Sequence, residues 1–324
     1  MITEGAQEGP VVVAVDGSEH SLKALDWALT AATAAGAELV IAHVMPDHAQ
    51  YWQARRTAVI GEPESEPEDP VAGWATGHLK DREAGDEGRG GPPSVRFVSL
   101  TGAVPAALDR QAEGARMLVL GSRGRGGFAS LLLGSTSRAC ATKAPCPVVV
   151  VPHSARSATG PVDGAGSGSE GDAGGDTGRV VLGLNPSETA DEVIGFAFRR
   201  AAERGLTLTA VTAFLDPVSP LPLIGTPMQG LPAQDVAPLL REIERAQQER
   251  LAPFRDGPYA AVPVESVVGP GDAAGQLVAL SGTAELLVVG RHRPRLQADS
   301  LLMGSVANAA LQHAGCAVAV VPGS

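Results

Sequence analysis

The chain has 324 residues and a formal net charge of -11 at pH 7; 44% of its residues are hydrophobic and 3% are aromatic. This length predicts two domains, whose cores must be built from Val, Leu and Ala, as in buried parallel strands covered by helices. General nucleic-acid binding is disfavoured because no basic face stands out over the whole chain. No apolar run reaches the roughly 20 residues of a membrane span, so we expect neither a nucleic-acid nor a membrane partner.

The first part of the chain alternates apolar runs with helical patterns. Val11 to Val15 predicts a buried strand, and Asp16-Gly17-Ser18 predicts a turn that caps a helix over residues 19–35. Further strands are expected at residues 38–44, 94–100, 117–120 and 148–151, with helices at 105–113 and 135–144. This alternation predicts parallel βαβ units, which bind ligands beyond the carboxyl ends of their strands.

Two acidic segments interrupt this pattern. Residues 46–93 carry ten Asp/Glu against five Lys/Arg, and are expected to be a flexible insert with short helices at residues 52–56 and 74–82. Residues 153–178 are rich in Gly, Ser and Asp without hydrophobic periodicity, which predicts a linker. Because most of the net charge lies in these segments, it indicates solubility and little about a ligand.

After the linker the pattern repeats. Residues 180–188 echo residues 11–19 at an offset of 169, and Cys316 echoes Cys146 at an offset of 170. A collinear match of this kind indicates duplication. We therefore predict an α/β protein with two tandem, doubly wound, mostly parallel five-stranded sheets, in domains 1–152 and 179–324.

The stretch from Gly121 to Thr136, GSRGRGGFASLLLGST, is the strongest functional pattern. It joins a predicted strand to a predicted helix N-terminus, and Gly121, Gly124, Gly134 and Ser135 fit G-x2-G-x9-G-[ST]. Glycines allow close backbone approach, and a helix start offers N–H groups to an anion. No Asp or Glu occurs from residue 121 to 152, where two arginines of the loop could add positive charge. The pattern predicts a phosphate site.

Other interpretations of this stretch are weaker. It lacks the Gly-Lys-[Ser/Thr] of a Walker A loop, and residues 124–129 match a dinucleotide fingerprint without the acidic residue about 20 positions on that would hold a ribose. A glycine-rich surface loop without a ligand remains the alternative. Asp16 could likewise be only a turn residue, and His43 is expected to be a packed core side chain.

Three segments together resemble the universal stress protein (UspA) family in its tandem, actinobacterial form. They are VVVAVDGSEHS at residues 11–21, the glycine-rich loop, and CPVVVVP at residues 146–152. The resemblance implies a UspA-like, Rossmann-like sandwich that binds ATP, ADP or AMP, with or without Mg²⁺. Asp16 and Ala14 would lie near adenine and ribose, Val44 against the base, and the loop around the phosphates. The implied contact residues are Ala14, Asp16, Val44, Gly121, Ser122, Arg123, Gly124, Arg125, Gly126, Gly127, Gly134, Ser135 and Thr136.

The second copy departs from this pattern. Asn185 replaces Asp16, Arg293 replaces Gly124, and the interval from Gly290 to Gly304 is one residue longer than in the first copy. Lost ribose contact and lost backbone access predict a degenerate site. We expect this copy to be mainly structural and to pair with the first as a built-in dimer.

Three functional hypotheses follow. The resemblance favours a stress-response regulator whose nucleotide occupancy sets its conformation or its surface for an unknown protein partner. A weak ATPase is the second hypothesis, although no general base or metal-ligand cluster stands beside the loop. A scaffold that binds no nucleotide is the third, and association into a homodimer is compatible with each. The absence of a basic, apolar leader and the odd number of cysteines, three, predict a cytoplasmic protein.

Overall fold

The computed structural model describes seven parts of the chain: residues 9–45, 69–83, 93–124, 133–153, 178–214, 237–291 and 303–323. The first half contains, in chain order, β1 (Val11–Ala14), α1 (Glu19–Ala35), β2 (Leu39–Met45), α2 (Pro70–Glu83), β3 (Val95–Thr101), α3 (Val104–Gln111), β4 (Met117–Gly121), α4 (Ser135–Lys143) and β5 (Val148–Val151). The second half contains β6 (Arg179–Gly183), α5 (Asp191–Arg204), β7 (Thr207–Phe214), α6 (Ala237–Arg255), β8 (Val264–Pro270), α7 (Ala273–Ser281), β9 (Ala284–Gly290), α8 (Ser305–His313) and β10 (Ala317–Val321).

The described strands form one ten-stranded sheet in the order β3-β2-β1-β4-β5-β10-β9-β6-β7-β8. Neighbours within each half are parallel, and each half has the order 3-2-1-4-5. The halves meet where β5 pairs antiparallel with β10, with Val149 opposite Ala319. The two predicted five-stranded sheets are therefore continuous across the seam between the halves.

Alternation along the strands builds two cores, one on each face of the sheet. Val11 and Val13 of β1 lie on the face of the sheet that α1, α2, α5 and α6 cover. Val12 lies on the other face, which α3, α4, α7 and α8 cover. Both faces are covered, which explains why the strands are continuous apolar runs. The molecule is thus a three-layer α/β sandwich, and the predicted α/β class is confirmed.

A buried ion-pair cluster ties the halves together beside the seam. The Glu203 carboxylate on α5 accepts hydrogen bonds from Arg116 of the first half, at 2.8 Å, and from Arg200, at 2.5 Å. The Arg200 guanidinium also lies 5.4 Å from the centre of the Trp27 ring on α1. One carboxylate therefore compensates two guanidinium groups, one from each half.

The region between β2 and β3 holds more structure than its acidic sequence indicates. Helix α2 spans Pro70–Glu83, longer than the predicted helix at residues 74–82, and it packs Val71, Ala75 and Leu79 into the core. The helix expected at residues 52–56 lies outside the described residues. Strand β2 is thus followed by the helix that a doubly wound unit requires.

Strands β1 and β4 are neighbours, although three strand-connecting segments separate them in sequence. The chain leaves β1 for α1 on one face of the sheet and leaves β4 for α4 on the other. This divergence opens a crevice at the carboxyl ends of the two strands, where ligands bind in open α/β sheets.

Candidate functional site

The crevice above β1, β2 and β4 is a cavity of about 770 Å³. It is bounded by the start of α1, the side of α3 and the start of α4, so three helices and three strand ends contribute to it. A cavity of this size is within the range of small-molecule sites.

Asp16 is held in this cavity by the turn after β1. Its Oδ1 atom accepts the Ser18 N–H at 3.0 Å, and Gly17 between them has a φ of 76°, which favours glycine. Ser18 then caps α1, its Oγ accepting the Ser21 N–H at 3.2 Å. The sequence Asp-Gly-Ser therefore builds a turn that places a carboxylate beside the strand ends and starts the next helix.

Two glycines allow the chain after β4 to approach this turn. A Cβ on Gly121 would lie 2.6 Å from the backbone carbonyl oxygen of His20, so α1 packs directly on the end of β4. A Cβ on Gly124 would lie 2.6 Å from the Asp16 Oδ2 atom. Gly121 is therefore required for helix packing, while Gly124 leaves room for the Asp16 carboxylate beside the loop backbone.

The glycine-rich loop is closed at its base by a backbone hydrogen bond. The Gly134 N–H donates to the Ser122 carbonyl at 2.7 Å, and the Ser137 hydroxyl donates to the Gly121 carbonyl, also at 2.7 Å. Helix α4 therefore starts at a fixed place above β4. Gly134 is its N-cap without a side-chain cap, so Ser135 and Thr136 bring uncapped first-turn N–H groups and two hydroxyls to the cavity.

Most of the residues expected at the site line this cavity. They are Ala14, Asp16, Val44, Gly121, Arg123, Gly124, Gly134, Ser135 and Thr136. Ser122 does not line it: the residue is buried beneath, and its N–H donates to the Val151 carbonyl at 2.9 Å. Arg125, Gly126 and Gly127 lie outside the described residues.

One wall of the cavity is apolar. Ala42 and Val44 of β2, Val104 and Leu108 of α3, and Leu133 before α4 line it, and Val104 is 39% exposed. The rest of the lining includes the Ser135 and Thr136 hydroxyls, the Asp16 carboxylate and Arg123. The cavity therefore offers both apolar and polar contacts to a ligand.

A basic cluster lies at the edge of the cavity beside β4. The rings of His20 and His153 are 4.6 Å apart, the Lys23 ammonium donates to the His153 carbonyl, and the Ser122 hydroxyl lies 3.4 Å from His20 Nδ1. Burial is the first cause that lowers the pKa of His20; the charges of His153, Arg123 and Lys23 lower it further, while Asp16 opposes them. Protonation of His20 is thus less favourable than that of a free imidazole.

A second polar group at the cavity was missed by sequence reasoning. His43 lines the cavity, and its Nδ1 atom lies 2.8 and 2.9 Å from the two oxygens of Asp69. Asp69 also accepts from the Ser99 hydroxyl at 2.7 Å and from the Val71 N–H at 2.9 Å. The sequence does contain a pattern that indicates a helix start at this place. Asp69-Pro70 before an apolar residue is typical of an N-cap followed by a first-turn proline.

The second half has its own crevice, of about 540 Å³. There the Asn185 side chain is engaged by its own turn, accepting from the Ser187 N–H at 3.1 Å and donating to Glu188 at 3.1 Å. Arg291, at the end of β9, lines this crevice and donates to the Ala144 carbonyl of the first half at 2.8 Å. Arg293, which replaces Gly124, lies outside the described residues.

These features define a class of protein: a tandem, doubly wound α/β sandwich with a glycine-rich loop at its switch point. The chain belongs to the universal stress protein family, whose family model matches residues 9–152 and 177–322. A universal stress protein of Mycobacterium tuberculosis, Rv2005c, is 31% identical over 311 residues, 96% of each chain. The predicted family and fold are thereby confirmed.

Solved structures extend this comparison. The crystal structure of a universal stress protein from Archaeoglobus fulgidus matches 99% of this chain and 100% of its own at a TM-score of 0.60 and 16% identity, which shows a shared fold. A universal stress protein solved in complex with cAMP is 28% identical, covering 45% of this chain and 98% of its own, at a TM-score of 0.31. At that score the likeness says nothing of what this chain binds.

The described residues include neither a membrane-spanning helix nor a metal-ligand cluster. None of the helices placed in the described ranges is long and apolar enough to cross a membrane. Within those same ranges, no group of three or more His, Cys, Asp or Glu side chains could hold a metal ion.

Proposed function

We propose that the first half binds an adenine nucleotide, ATP, ADP or AMP, and that its occupancy makes the protein a regulator in a stress response. The observation that carries this proposal is that apolar side chains and the uncapped start of α4 line the same 770 Å³ cavity. Its apolar wall is suited to a purine, and the start of α4 is suited to phosphates, since helix N-termini with adjoining glycine loops bind anions.

The described residues suggest a role for each end of the ligand. Ser135 and Thr136 would donate hydroxyl and N–H groups to phosphate oxygens, with Arg123 adding positive charge. Asp16 would accept from ribose hydroxyls, and Val44 would pack against the base. Any Mg²⁺ would have to be carried largely by the phosphates, because the described residues offer no metal-ligand cluster.

We further propose that the second half is mainly structural. Its crevice is smaller, the Asn185 amide stands where the first half has the Asp16 carboxylate, and its Arg291 reaches the first half. Titration calorimetry of the whole chain with ATP is therefore expected to give about one site per chain. Two sites of similar affinity would contradict this assignment.

The experiment that tests the site directly is the substitution Gly124→Asp. The new Cβ would meet the Asp16 carboxylate, and a second negative charge would then stand where phosphates are proposed to bind. We expect ATP binding to be abolished and the circular dichroism spectrum to be unchanged. Gly124→Ala is the matched variant, since it adds the Cβ without the charge. Normal ATP affinity in Gly124→Asp would refute the site.

A cytoplasmic location is part of the proposal. Cys140, Cys146 and Cys316 are free and buried, and burial raises the pKa of each thiol to about 12. Such thiols are inert small side chains, in keeping with a reducing compartment.

A protein partner would sense the occupied cavity through the surrounding surface, and a homodimer would have to use surfaces other than the β5–β10 seam.

A further inference from the structure

The His43–Asp69 pair fixes where the imidazole carries its proton. Both Asp69 oxygens lie within 2.9 Å of Nδ1, and hydrogen bonds from Ser99, Val71 and His43 itself hold the pKa of the Asp69 carboxyl below its usual value despite burial. A carboxylate that faces Nδ1 requires a proton there. In the neutral ring, Nε2 is therefore a hydrogen-bond acceptor.

That acceptor remains available at the cavity. His43 is among the residues that line the cavity, and its side chain is 10% exposed. Because side chains alternate along β2, it projects to the α2 face of the sheet, whereas Val44 packs in the core on the other face. Within the described residues Nε2 makes no hydrogen bond, and it is not among the fully buried side-chain atoms that lack one. An accessible acceptor at the rim of a cavity is suited to orient a ligand.

In the second half, the position equivalent to His43 holds a side chain whose hydrogen bonds are all made within the protein. Thr212 occupies the place of His43 at the offset of 169, and its hydroxyl donates to the Leu184 carbonyl at 2.8 Å while accepting from Gln247 at 3.0 Å. Thr212 does not line the second crevice. Both halves therefore tie a helix to this strand position, but only the first half does so with a residue that lines the cavity and keeps an open acceptor.

We propose that His43, oriented by Asp69, accepts a hydrogen bond from the 6-amino group of the purine and so selects 6-amino over 6-keto nucleotides. This inference rests on the proposed function. An inosine nucleotide presents a carbonyl oxygen at the same place, and two acceptors facing each other leave a desolvated polar group without a partner. His43 is thus a specificity residue, and Asp69 is the residue that positions it.

The test is titration calorimetry of the full chain with ATP and ITP at about pH 8, where imidazoles are mostly neutral. The wild type is expected to prefer ATP by about tenfold or more. Asp69→Asn should bring the ratio of the two affinities towards one, because an amide can pair with either tautomer of His43. The double variant His43→Phe/Asp69→Asn, which leaves no buried charge unpaired, should do the same by weakening ATP alone.

Two control variants separate selectivity from stability. Ser99→Ala removes one hydrogen bond to Asp69 but leaves the pair intact, and Thr212→Val changes the equivalent position of the second half. Both should keep the wild-type ratio of ATP to ITP affinity, even where the melting temperature falls. A ratio that changes equally in the controls and in Asp69→Asn would overturn the inference.

Further outcomes distinguish this inference from the proposed function. Equal binding of ATP and ITP to the wild type would overturn the role of His43 and leave the nucleotide site standing. Absence of binding by either nucleotide would refute both. If the variants instead lost discrimination between ATP and 2′-deoxy-ATP, His43 would contact the ribose, and the assignment to the base would be wrong.

Discussion

At the scale of single residues, His20 is the side chain whose charge should respond to a bound phosphate. Burial and its cationic neighbours lower its pKa, so it is neutral at neutral pH in the free protein. A phosphate beside it would stabilise the imidazolium and raise that pKa. Proton uptake would then accompany binding, and ATP affinity should rise as the pH falls from about 8 to about 6.

Calorimetry in two buffers of different ionisation enthalpy measures this proton uptake. In His20→Gln the uptake should disappear and the dependence of ATP affinity on pH should flatten. His78→Gln is the matched control, because His78 is bonded to Asp26, at 2.6 Å, away from the cavity. An undiminished proton uptake in His20→Gln would show that another group titrates.

Asp69 supports a second prediction, about stability. The pKa of its carboxyl is lower in the folded protein than in an unfolded chain, so its contribution is present above the unfolded value and is lost as the pH falls through the folded one. Asp69→Asn should therefore reduce the free energy of unfolding at neutral pH by about 1–3 kcal/mol. Urea unfolding should show the difference between wild type and variant shrinking below about pH 4.

At the scale of elements, the start of α4 allows fold and ligand binding to be separated. Gly134 is an N-cap with a φ of -70° and a ψ of 152° and without a side-chain cap. Gly134→Asp would supply that cap, a gain of only about 0.3 kcal/mol over glycine, while its Cβ would lie 3.3 Å from the Ser122 carbonyl oxygen. The same carboxylate would occupy the proposed phosphate position. We expect an unchanged or raised melting temperature together with loss of ATP binding.

The duplicated chain provides the control for this substitution. Gly304 caps α8 with a φ of -57° and a ψ of 150°, also without a side-chain cap. Gly304→Asp adds the same charge to the equivalent helix and should leave ATP affinity unchanged if only the first half binds. Loss of ATP binding in both variants would indicate two sites, or a general effect of charge.

The elements themselves were largely predictable, for a physical reason. Short β-branched apolar runs such as Val148–Val151 favour strands buried on both faces, and Asp16-Gly17-Ser18 favours a turn and a cap. Helix α2 was harder, because its acidic surroundings hid a small buried face of Val71, Ala75 and Leu79. Asp69 was missed because its partner His43 lies 26 residues earlier and pairs with it only through packing.

At the scale of the whole molecule, Glu203 makes the two halves depend on each other. Its side chain is 12% exposed and compensates Arg116 and Arg200, the latter almost fully buried. Glu203→Ala would leave Arg116 without its ion-pair partner and Arg200 with only the electrostatic attraction of Glu285, which costs about 3–5 kcal/mol. Denaturant unfolding should show this loss, in contrast to at most about 1 kcal/mol for Glu38→Ala, whose pair with Arg96 is exposed.

The sequence predicted two similar units but did not fix how they join. An internal repeat shows that each unit has the same strand order, whereas the pairing of Val149 with Ala319 depends on which edges are left open after each unit folds. The ion pair between Arg116 and Glu203 has no counterpart in the repeat pattern. The contacts between the two halves therefore could not be predicted from the sequence and are seen only in the structure.

The antiparallel seam between β5 and β10 also decides where the two crevices open. Strands are parallel within each half, but the strands of one half run antiparallel to those of the other. The carboxyl ends of the two halves therefore lie on opposite rims of a single sheet, and one crevice opens at each rim. A partner that binds at one rim would leave the crevice at the other rim open. Because both halves belong to one chain, the two rims carry different residues, which is impossible for two identical subunits of a homodimer.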